Sequence, residues 1–305
     1  MNLIDVKGVW PVMLTPFTSA GAVDYKALEQ LIAWYEQSGV DGLFADCLSS
    51  ELFHLSLRER VQLASFIKKT AKVPVIASGH TAYAAEEQQD ELRRIADTGV
   101  DAVIMISNRF APKGGSSDLW KKNLEGMLHS LPDQLPLGLY ECPVPFKWVL
   151  SQDELQFCVD TGRFTFFKDT CCDLSRIQQR LKVMEGSTLR LFNANSSSLL
   201  DSLKSGAAGF SGVMANFHAD LYVWLCKNWK SEPKKAEQLQ AFLTLFSFME
   251  RQLYPVNAKY YLQGEGLEMT SVARSSNYLE FCALFQSETD QLKLATQFVR
   301  QNLLA

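Results

Sequence analysis

The sequence contains no long apolar run and no block of lysines and arginines. Its 305 residues include 30 Lys and Arg against 34 Asp and Glu, a formal charge of −4, which offers no electrostatic attraction to nucleic acid or to an anionic membrane. No segment approaches the roughly 20 apolar residues that span a bilayer. Residues 1–7 lack the basic start and apolar core of a signal peptide. We therefore expect a soluble, cytoplasmic protein whose partners are small molecules.

Common metal and cofactor motifs are also missing. The seven cysteines have no CxxC spacing, so we expect reduced thiols. The four histidines show no HExxH pattern, and no GxGxxG fingerprint follows the first predicted strand. Neither a metal nor an organic cofactor is expected. His80 directly follows a strand-like segment, where it either contacts a ligand or is a hydrogen-bonded loop residue.

The sequence does contain short β-branched runs that alternate with amphipathic stretches of about 10 to 16 residues, a pattern typical of βα units around a parallel sheet. Eight strands are predicted, and eight parallel strands of this length close more readily into a (β/α)₈ TIM barrel than into an open sheet. An open doubly wound α/β sheet is the alternative. The predicted strands are 9–14, 42–46, 73–78, 102–106, 137–141, 164–168, 189–193 and 209–213.

Helical patterns fill the intervals between these strands and continue beyond the last one. Segments 24–37, 57–69 and 86–97 follow the first three strands. After about residue 231 the only periodic segments are helical, such as 236–249 and 289–303. We predict a catalytic barrel over residues 1–230 and a C-terminal helical extension over residues 231–305.

Lys168 stands at the end of the sixth predicted strand, directly after the apolar run 164–167 and before Asp169. In a barrel of βα units this position opens into the cleft where chemistry takes place. Desolvation disfavours the ammonium form, and a neutral amine can attack a carbonyl carbon to form a Schiff base. The alternatives are a strand-end lysine whose head reaches water and a structural ion pair.

The ends of the strands, taken together, resemble one family. The set resembles the dihydrodipicolinate synthase/N-acetylneuraminate lyase family of class I aldolases, over nearly the whole chain and including a helical C-terminal extension. The phrase Gly39-Val40-Asp41-Gly42-Leu43 is also similar to that family. The strand-end segments are Thr15-Pro16-Phe17, Cys47-Leu48-Ser49-Ser50-Glu51, Tyr140-Glu141-Cys142-Pro143, Lys168-Asp169-Thr170 and Gly209-Phe210-Ser211-Gly212.

This resemblance assigns roles to five residues. It implies that Lys168 forms the Schiff base with pyruvate or another 2-oxo acid and that Tyr140 shuttles protons. Leu48 and Ser49 match the loop whose backbone amides hold the substrate carboxylate. Ser211 matches a position whose backbone carbonyl faces the substrate. For Tyr140 the alternative is a packed aromatic whose hydroxyl caps a loop.

The chain departs from the family pattern at three places. Leu48 lacks the hydroxyl that relays a proton to the tyrosine in relatives, and the relay's second tyrosine is replaced within 108–110, Asn-Arg-Phe. No arginine follows Tyr140 to hold a second carboxylate, which argues against dihydrodipicolinate synthesis itself. Arg109, Lys147 and His80 remain as residues that would hold the distal end of a hydroxylated or carboxylated substrate. Each of them is equally plausible as a surface loop residue.

Three functions fit these observations. The first is a Schiff-base-forming lyase or aldolase that acts on a 2-keto-3-deoxy or 4-hydroxy-2-oxo acid and releases or consumes pyruvate. The second is a dehydratase of a 2-keto-3-deoxy sugar acid that uses the same lysine imine. The third is a catalytically impaired protein that binds a 2-oxo acid. The resemblance also implies a homo-oligomer, either a dimer or a tetramer.

Overall fold

The computed structural model describes residues 6–304. The segment 1–5, which carries most of the stretch compared above with a signal peptide, lies outside those residues, as does Ala305 at the end of the predicted extension. None of the helices within 6–304 is long and apolar enough to cross a membrane.

Eight parallel strands form one sheet that closes on itself, which confirms the predicted (β/α)₈ barrel. The hydrogen-bonded order is β1-β8-β7-β6-β5-β4-β3-β2. The ring closes where the Met13 N–H donates to the Phe44 carbonyl at 2.9 Å and the Phe44 N–H donates to the Pro11 carbonyl at 3.0 Å. The strands are β1 (Gly8–Val9), β2 (Leu43–Ala45), β3 (Val75–Ser78), β4 (Ala102–Ile106), β5 (Leu137–Tyr140), β6 (Phe164–Asp169), β7 (Arg190–Asn193) and β8 (Gly209–Phe210).

Each predicted strand has an observed counterpart, although the first and the last are much shorter than predicted. The prediction 9–14 becomes Gly8–Val9, because Pro11 has no N–H to donate to the ladder. The prediction 209–213 becomes Gly209–Phe210. By contrast, β4 has the predicted bounds.

Helices follow the strands and form the outer layer. Ser56 and Ser151 start two of them with capping boxes, in which the serine hydroxyl accepts from a backbone N–H and a glutamate three residues later accepts from the serine N–H. The helices are α1 (Tyr25–Gln37), α2 (Leu57–Thr70), α3 (Ala85–Ala96), α4 (Ser117–His129), α5 (Gln152–Asp160), α6 (Leu174–Val183), α7 (Leu199–Lys204), α8 (Ala215–Asn228), α9 (Pro233–Phe246), α10 (Val256–Gly264) and α11 (Ala283–Asn302).

The C-terminal helices share a core with the barrel. Up to Leu304, the described chain after residue 230 holds helices and no strand, as the sequence predicts. Leu239 and Leu243 of α9 and Leu262 of α10 nevertheless belong to the same buried cluster as the helices around the sheet. The division into two units at residue 230 stays a prediction.

Side chains alternate between two cores on opposite faces of the strands. Phe166 belongs to the cluster inside the barrel, where its ring stacks on Phe192 at 4.2 Å between centroids. Phe167 belongs to the cluster between sheet and helices. The same alternation places Lys168 on the inner side with Phe166, and Asp169 on the outer side with Phe167.

A buried ion cluster fixes the ends of β5 and β6 from the outside. Arg180 of α6 donates to Glu141 at 2.6 Å, to the Leu150 carbonyl at 2.8 Å, and to Asp169. Glu141 also accepts from the Thr170 N–H at 3.1 Å. All three ionic side chains are at most 2% exposed. Because Glu141 follows Tyr140 and Asp169 follows Lys168, this cluster holds both inward-pointing residues in register.

We predict that Arg180→Met lowers the free energy of unfolding by about 3–5 kcal/mol, because it leaves two buried carboxylates without a counter-charge. Urea denaturation followed by circular dichroism measures the change. Arg176→Met, an exposed position on the same helix, is the control and should change stability by less than about 0.5 kcal/mol. Equal small effects of the two substitutions would contradict the role assigned to the cluster.

Candidate active site

A cleft of about 400 Å³ opens at the carboxyl ends of the strands. A larger depression of about 660 Å³ lies at the opposite end of the barrel, beside the start of β7 and the residues that precede β8, whereas barrel active sites lie at the carboxyl end. The first cleft is lined by Leu48, Ser49, Tyr140, Pro143, Lys147, Lys168, Thr170, Cys172, Ala194, Asn195, Gly212, Val213, Glu250, Tyr254, Pro255, Ser275 and Ser276.

Lys168 enters this cleft from the end of β6 and is only 5% exposed. Its Nζ lies 4.3 Å from the centroid of the Tyr140 ring and 5.6 Å from that of Phe44. Within residues 6–304 it has no salt-bridge partner. Burial lowers the pKa of Lys168 to about 8, against weaker opposing effects of Cys47, Cys142 and Glu250. The amine is therefore far closer to its nucleophilic form at neutral pH than an ordinary lysine.

Tyr140 lies beside the lysine and is 2% exposed. Its ring meets Phe44 edge to face, with 5.7 Å between centroids. Burial raises the pKa of Tyr140 well above 10, and the nearby Cys142 and Cys47 thiols raise it further. The phenol is consequently protonated at neutral pH. It can therefore donate a proton, but it accepts one only after it has given its own away.

The segment 47–51 forms the wall of the cleft that carries Leu48 and Ser49. These residues belong to a 3-10 turn, Leu48–Ser50, which the Ser50 hydroxyl anchors by donating to the Met13 carbonyl at 2.7 Å. Glu51 ends the turn in the left-handed region, with φ at 63°. This segment is thus hydrogen-bonded to the barrel through Ser50, while Leu48 and Ser49 line the cleft.

Glu51 also ties the C-terminal extension to the mouth of the barrel. Its carboxylate accepts from Lys259 Nζ at 2.8 Å and from the backbone N–H groups of Arg274 and Ser275 at 2.6 and 2.7 Å. The side chains of Glu51 and Lys259 are at most 1% exposed. Ser275 and Ser276 therefore reach the cleft from a segment more than two hundred residues away in sequence.

Two functional groups in the cleft come from this extension, and sequence reasoning missed both. Glu250 lies in a 3-10 turn, Ser247–Arg251, and burial raises its pKa to about 7 although Lys168 and Arg251 oppose the shift. Tyr254 follows shortly after. The predicted helix 236–249 ends just before these residues. No local sequence pattern indicates that they face the mouth of the barrel.

Tyr254 is held by a buried hydrogen-bond chain. Its hydroxyl accepts from Asn216 Nδ2 at 2.8 Å, and Asn216 Oδ1 accepts from the Tyr35 hydroxyl at 2.5 Å. Burial raises the pKa of Tyr254 well above 10, while hydrogen bonding by Ser49 and Asn216 acts in the opposite direction. The Tyr254 phenol therefore lies next to Ser49, whose neighbour Leu48 provides no hydroxyl to the cleft.

His80 and Arg109 do not line the cleft. His80 Nδ1 lies 2.8 Å from Gln88 Oε1, and its Nε2 accepts from the Ile106 N–H at 2.7 Å. Burial lowers the pKa of His80 to about 4, so the ring is neutral and structural. The Arg109 guanidinium lies over the rings of Tyr83 and Phe53, at 4.3 and 5.1 Å from their centroids. His80 thus turns toward Gln88 of α3, whereas Arg109 stacks on two loop residues, and neither side chain enters the cleft.

Ser211 and Lys147 lie at the edges of the site. The fully buried Ser211 donates its N–H to the Asn193 carbonyl at 2.9 Å, and its neighbours Gly212 and Val213 rather than Ser211 itself line the cleft. Lys147 lines the cleft but donates to the Thr170 carbonyl at 2.7 Å. Across residues 6–304, no three His, Cys, Asp or Glu side chains are grouped as metal ligands.

Comparison with known proteins identifies one family. The model of the dihydrodipicolinate synthetase family matches residues 5–278. A 4-hydroxy-tetrahydrodipicolinate synthase of Psychrobacter arcticus is 28% identical over 69% of each chain. An N-acetylneuraminate lyase of Escherichia coli is 27% identical over 77% of this chain and 78% of its own.

Solved structures of the family share the fold. A prophage protein of E. coli K12 that belongs to the dihydrodipicolinic acid synthase family, solved in complex with pyruvate, superposes with a TM-score of 0.85. It is 20% identical, and the match covers 95% of this chain and 98% of its own. Dihydrodipicolinate synthase DapA-2 of Bacillus anthracis gives a TM-score of 0.84 at 21% identity, over 96% and 98%.

We predict that the rate at which a small neutral reagent acylates the Lys168 amine reaches half its maximum near pH 8. The neutral amine is the nucleophile, and it forms as the pH rises through the lowered pKa. Competitive labelling between pH 6 and 11, read by peptide mass, measures this midpoint. Lys69, which is exposed on α2, serves as the internal reference for reagent reactivity. A Lys168 midpoint near pH 10.4, roughly the value of a free lysine side chain, would contradict the lowered pKa.

Proposed function

Because the chain belongs to the dihydrodipicolinate synthetase family, whose members are class I aldolase-type lyases, we propose that Lys168 forms a Schiff base with a 2-oxo acid. The observation that carries this proposal is the buried Lys168 amine, with its pKa lowered to about 8, in contact with Tyr140 at the carboxyl end of the barrel. Pyruvate is the proposed donor or product, as the pyruvate complex of the E. coli relative suggests.

The imine explains how carbon–carbon bond cleavage becomes accessible. Lys168 attacks the ketone carbon, water leaves, and the protonated imine then draws electrons from the neighbouring carbon. Breaking the bond between the third and fourth carbons leaves the electron pair in a neutral enamine rather than in a carbanion. Protonation of the enamine and hydrolysis of the imine release pyruvate and restore the free amine.

Tyr140 is proposed to carry protons while the carbinolamine and the imine form and are hydrolysed. Its phenol packs against the amine and remains protonated, which suits donation during carbinolamine formation and return of the proton afterwards. Leu48 and Ser49 are proposed to hold the substrate carboxylate through their backbone N–H groups, since both line the cleft that holds Lys168.

The lining of the cleft favours a hydroxylated substrate over a second carboxylate. Among the described residues that line it there is no arginine, and Lys147 is engaged with the Thr170 carbonyl. Besides the Lys168 amine, the Glu250 carboxyl and the Cys172 thiol, the remaining polar side chains of the cleft carry hydroxyls and one amide, which suit the hydroxyls of a sugar acid. Those distinct from the two tyrosines and Ser49 belong to Thr170, Asn195, Ser275 and Ser276. We therefore propose a 2-keto-3-deoxy or 4-hydroxy-2-oxo acid as the substrate.

Two other functions remain as alternatives. A dehydratase would use the same imine and expel water from the fourth carbon, and product analysis separates the two reactions, since only the aldolase yields two carbon fragments. A binding protein without catalysis is favoured by the missing Leu48 hydroxyl. One observation argues against a binding protein. Burying the Lys168 amine without a counter-ion destabilises the fold, and ligand binding alone gives no reason to retain a lysine there. Assembly into a homo-oligomer in the cytoplasm also belongs to this proposal.

We predict that sodium borohydride with pyruvate reduces an imine on Lys168 and adds one pyruvate-derived group per chain, located by peptide mapping. The variant Lys168→Met removes the amine and should take up none. Lys147→Met, which retains the Lys168 amine in the same cleft, should still be labelled. Folded protein that yields no adduct with pyruvate or with other 2-oxo acids would favour the binding protein.

We predict that Tyr140→Phe lowers kcat for carbon–carbon cleavage by about 10²–10⁴-fold, because the ring still packs but no longer carries a proton. Steady-state kinetics with five- and six-carbon 2-keto-3-deoxy aldonic acids measure the loss. Tyr261→Phe removes the hydroxyl of a buried tyrosine on α10 that does not line the cleft, and it serves as the control for packing. A kcat of Tyr140→Phe within about three-fold of the parent would remove Tyr140 from the mechanism.

A further inference from the structure

Reaction at the substrate's fourth carbon requires a group that accepts or donates the proton of its hydroxyl. In cleavage, the hydroxyl on that carbon loses its proton as the carbon–carbon bond breaks and an aldehyde forms. In dehydration, the same oxygen gains a proton and leaves as water. Lys168 is occupied as the imine at this stage, so another group has to exchange this proton.

The phenols and thiols around the cleft are poorly suited to this exchange. Burial raises the pKa of Tyr140 and of Tyr254 well above 10, and it also raises the pKa of the Cys47 and Cys142 thiols. Proton exchange near neutral pH is most effective for a group that titrates near neutral pH. The hydroxyl relay of relatives is also interrupted at Leu48.

Glu250 provides the one carboxyl group among the described residues that line the cleft. Its side chain is half-buried, and within residues 6–304 it has neither a hydrogen bond nor a salt bridge with another side chain. Partial burial of an unpaired carboxylate is unfavourable, and such groups are found preferentially at functional sites. Glu250 and Lys168 line the same cleft, and the charge of Glu250 opposes the lowering of the Lys168 pKa.

From this geometry we propose that Glu250 is the catalytic acid–base that exchanges the proton of the hydroxyl on the substrate's fourth carbon. The inference rests on the proposed Schiff-base function and deepens it. In cleavage the Glu250 carboxylate accepts the hydroxyl proton while the carbon–carbon bond electrons move into the enamine. In dehydration the Glu250 carboxylic acid donates its proton to the leaving hydroxyl while the enamine electrons expel it as water.

The surroundings of Glu250 suit this exchange. Burial raises its pKa to about 7, and the positive charges of Lys168 and Arg251 keep it from rising further. The charged and titratable groups around it are Lys168 from β6, Arg251 on its own turn, Tyr222 from α8, and the other groups that line the cleft, Tyr140, Lys147, Cys172 and Tyr254. A protonated imine retains the positive charge of Lys168, so Glu250 keeps this neighbouring charge until the neutral enamine forms.

The direction of the pH dependence distinguishes the two reactions. A base must be deprotonated, so kcat for cleavage should rise as the pH increases through about 7. An acid must be protonated, so kcat for dehydration should fall as the pH increases through the same value. In Glu250→Gln this limb of the pH profile should disappear, because glutamine does not titrate.

The decisive experiment compares two reactions in wild type, Glu250→Gln and Glu250→Asp. One is deuterium exchange into the methyl group of pyruvate, which requires the imine but no oxygen on a fourth carbon. The other is turnover of five- and six-carbon 2-keto-3-deoxy aldonic acids. We expect Glu250→Gln to retain borohydride trapping and methyl exchange within about two-fold and to lose turnover by about 10²–10⁴-fold. Glu250→Asp should recover part of the turnover.

The control is Glu237→Gln, an exposed glutamate on α9, which should leave both reactions unchanged. Turnover of Glu250→Gln within three-fold of wild type would overturn the inference, and so would an equal loss of exchange and turnover, which would place Glu250 at the imine instead. Wild type that traps pyruvate yet leaves every tested acid unchanged would also overturn it. If wild type fails to trap pyruvate, the Schiff-base proposal itself fails, which is a separate result.

Discussion

The structure of the site depends on the buried contact of Arg180 with Glu141 and Asp169. Alternate residues of a strand point to opposite faces, so anchoring Glu141 and Asp169 outside the barrel turns Tyr140 and Lys168 inward. The shared guanidinium also joins the ends of β5 and β6. This link keeps Lys168 Nζ 4.3 Å from the centroid of the Tyr140 ring. An ion cluster that touches no substrate therefore determines the geometry on which the chemistry relies.

A second buried pair, Glu51 with Lys259, extends this organisation to the C-terminal helices. It joins the wall that carries Leu48 and Ser49 to the segment that follows α10, and it places Ser275 beside the cleft. The barrel thus supplies Lys168 and Tyr140, whereas the extension supplies Glu250, Tyr254 and two serines. The proposed catalysis consequently needs both parts of the chain.

Much of this arrangement could be predicted from the sequence, and the rest could not for physical reasons. Alternating apolar runs predicted the eight strands, and strand ends predicted that Lys168 and Tyr140 share a cleft. His80 and Arg109 also follow strands, but they lie in loops, where contacts such as His80 with Gln88 decide the direction of the side chain. The extension that carries Glu250 is joined to the barrel by contacts such as Glu51 with Lys259, which lie 208 positions apart, and no local sequence pattern predicts contacts of that range.

Lys168 is proposed to bond covalently to the carbonyl carbon of the substrate, in a cleft completed by the C-terminal extension. A crystal structure of the enzyme grown with pyruvate is the most direct test. We expect a covalent link between Lys168 Nζ and the second carbon of pyruvate, with the carboxylate at Leu48 and Ser49 and the methyl group pointing toward Glu250. Pyruvate bound without a covalent link, bound to another lysine, or absent from this cleft would contradict it.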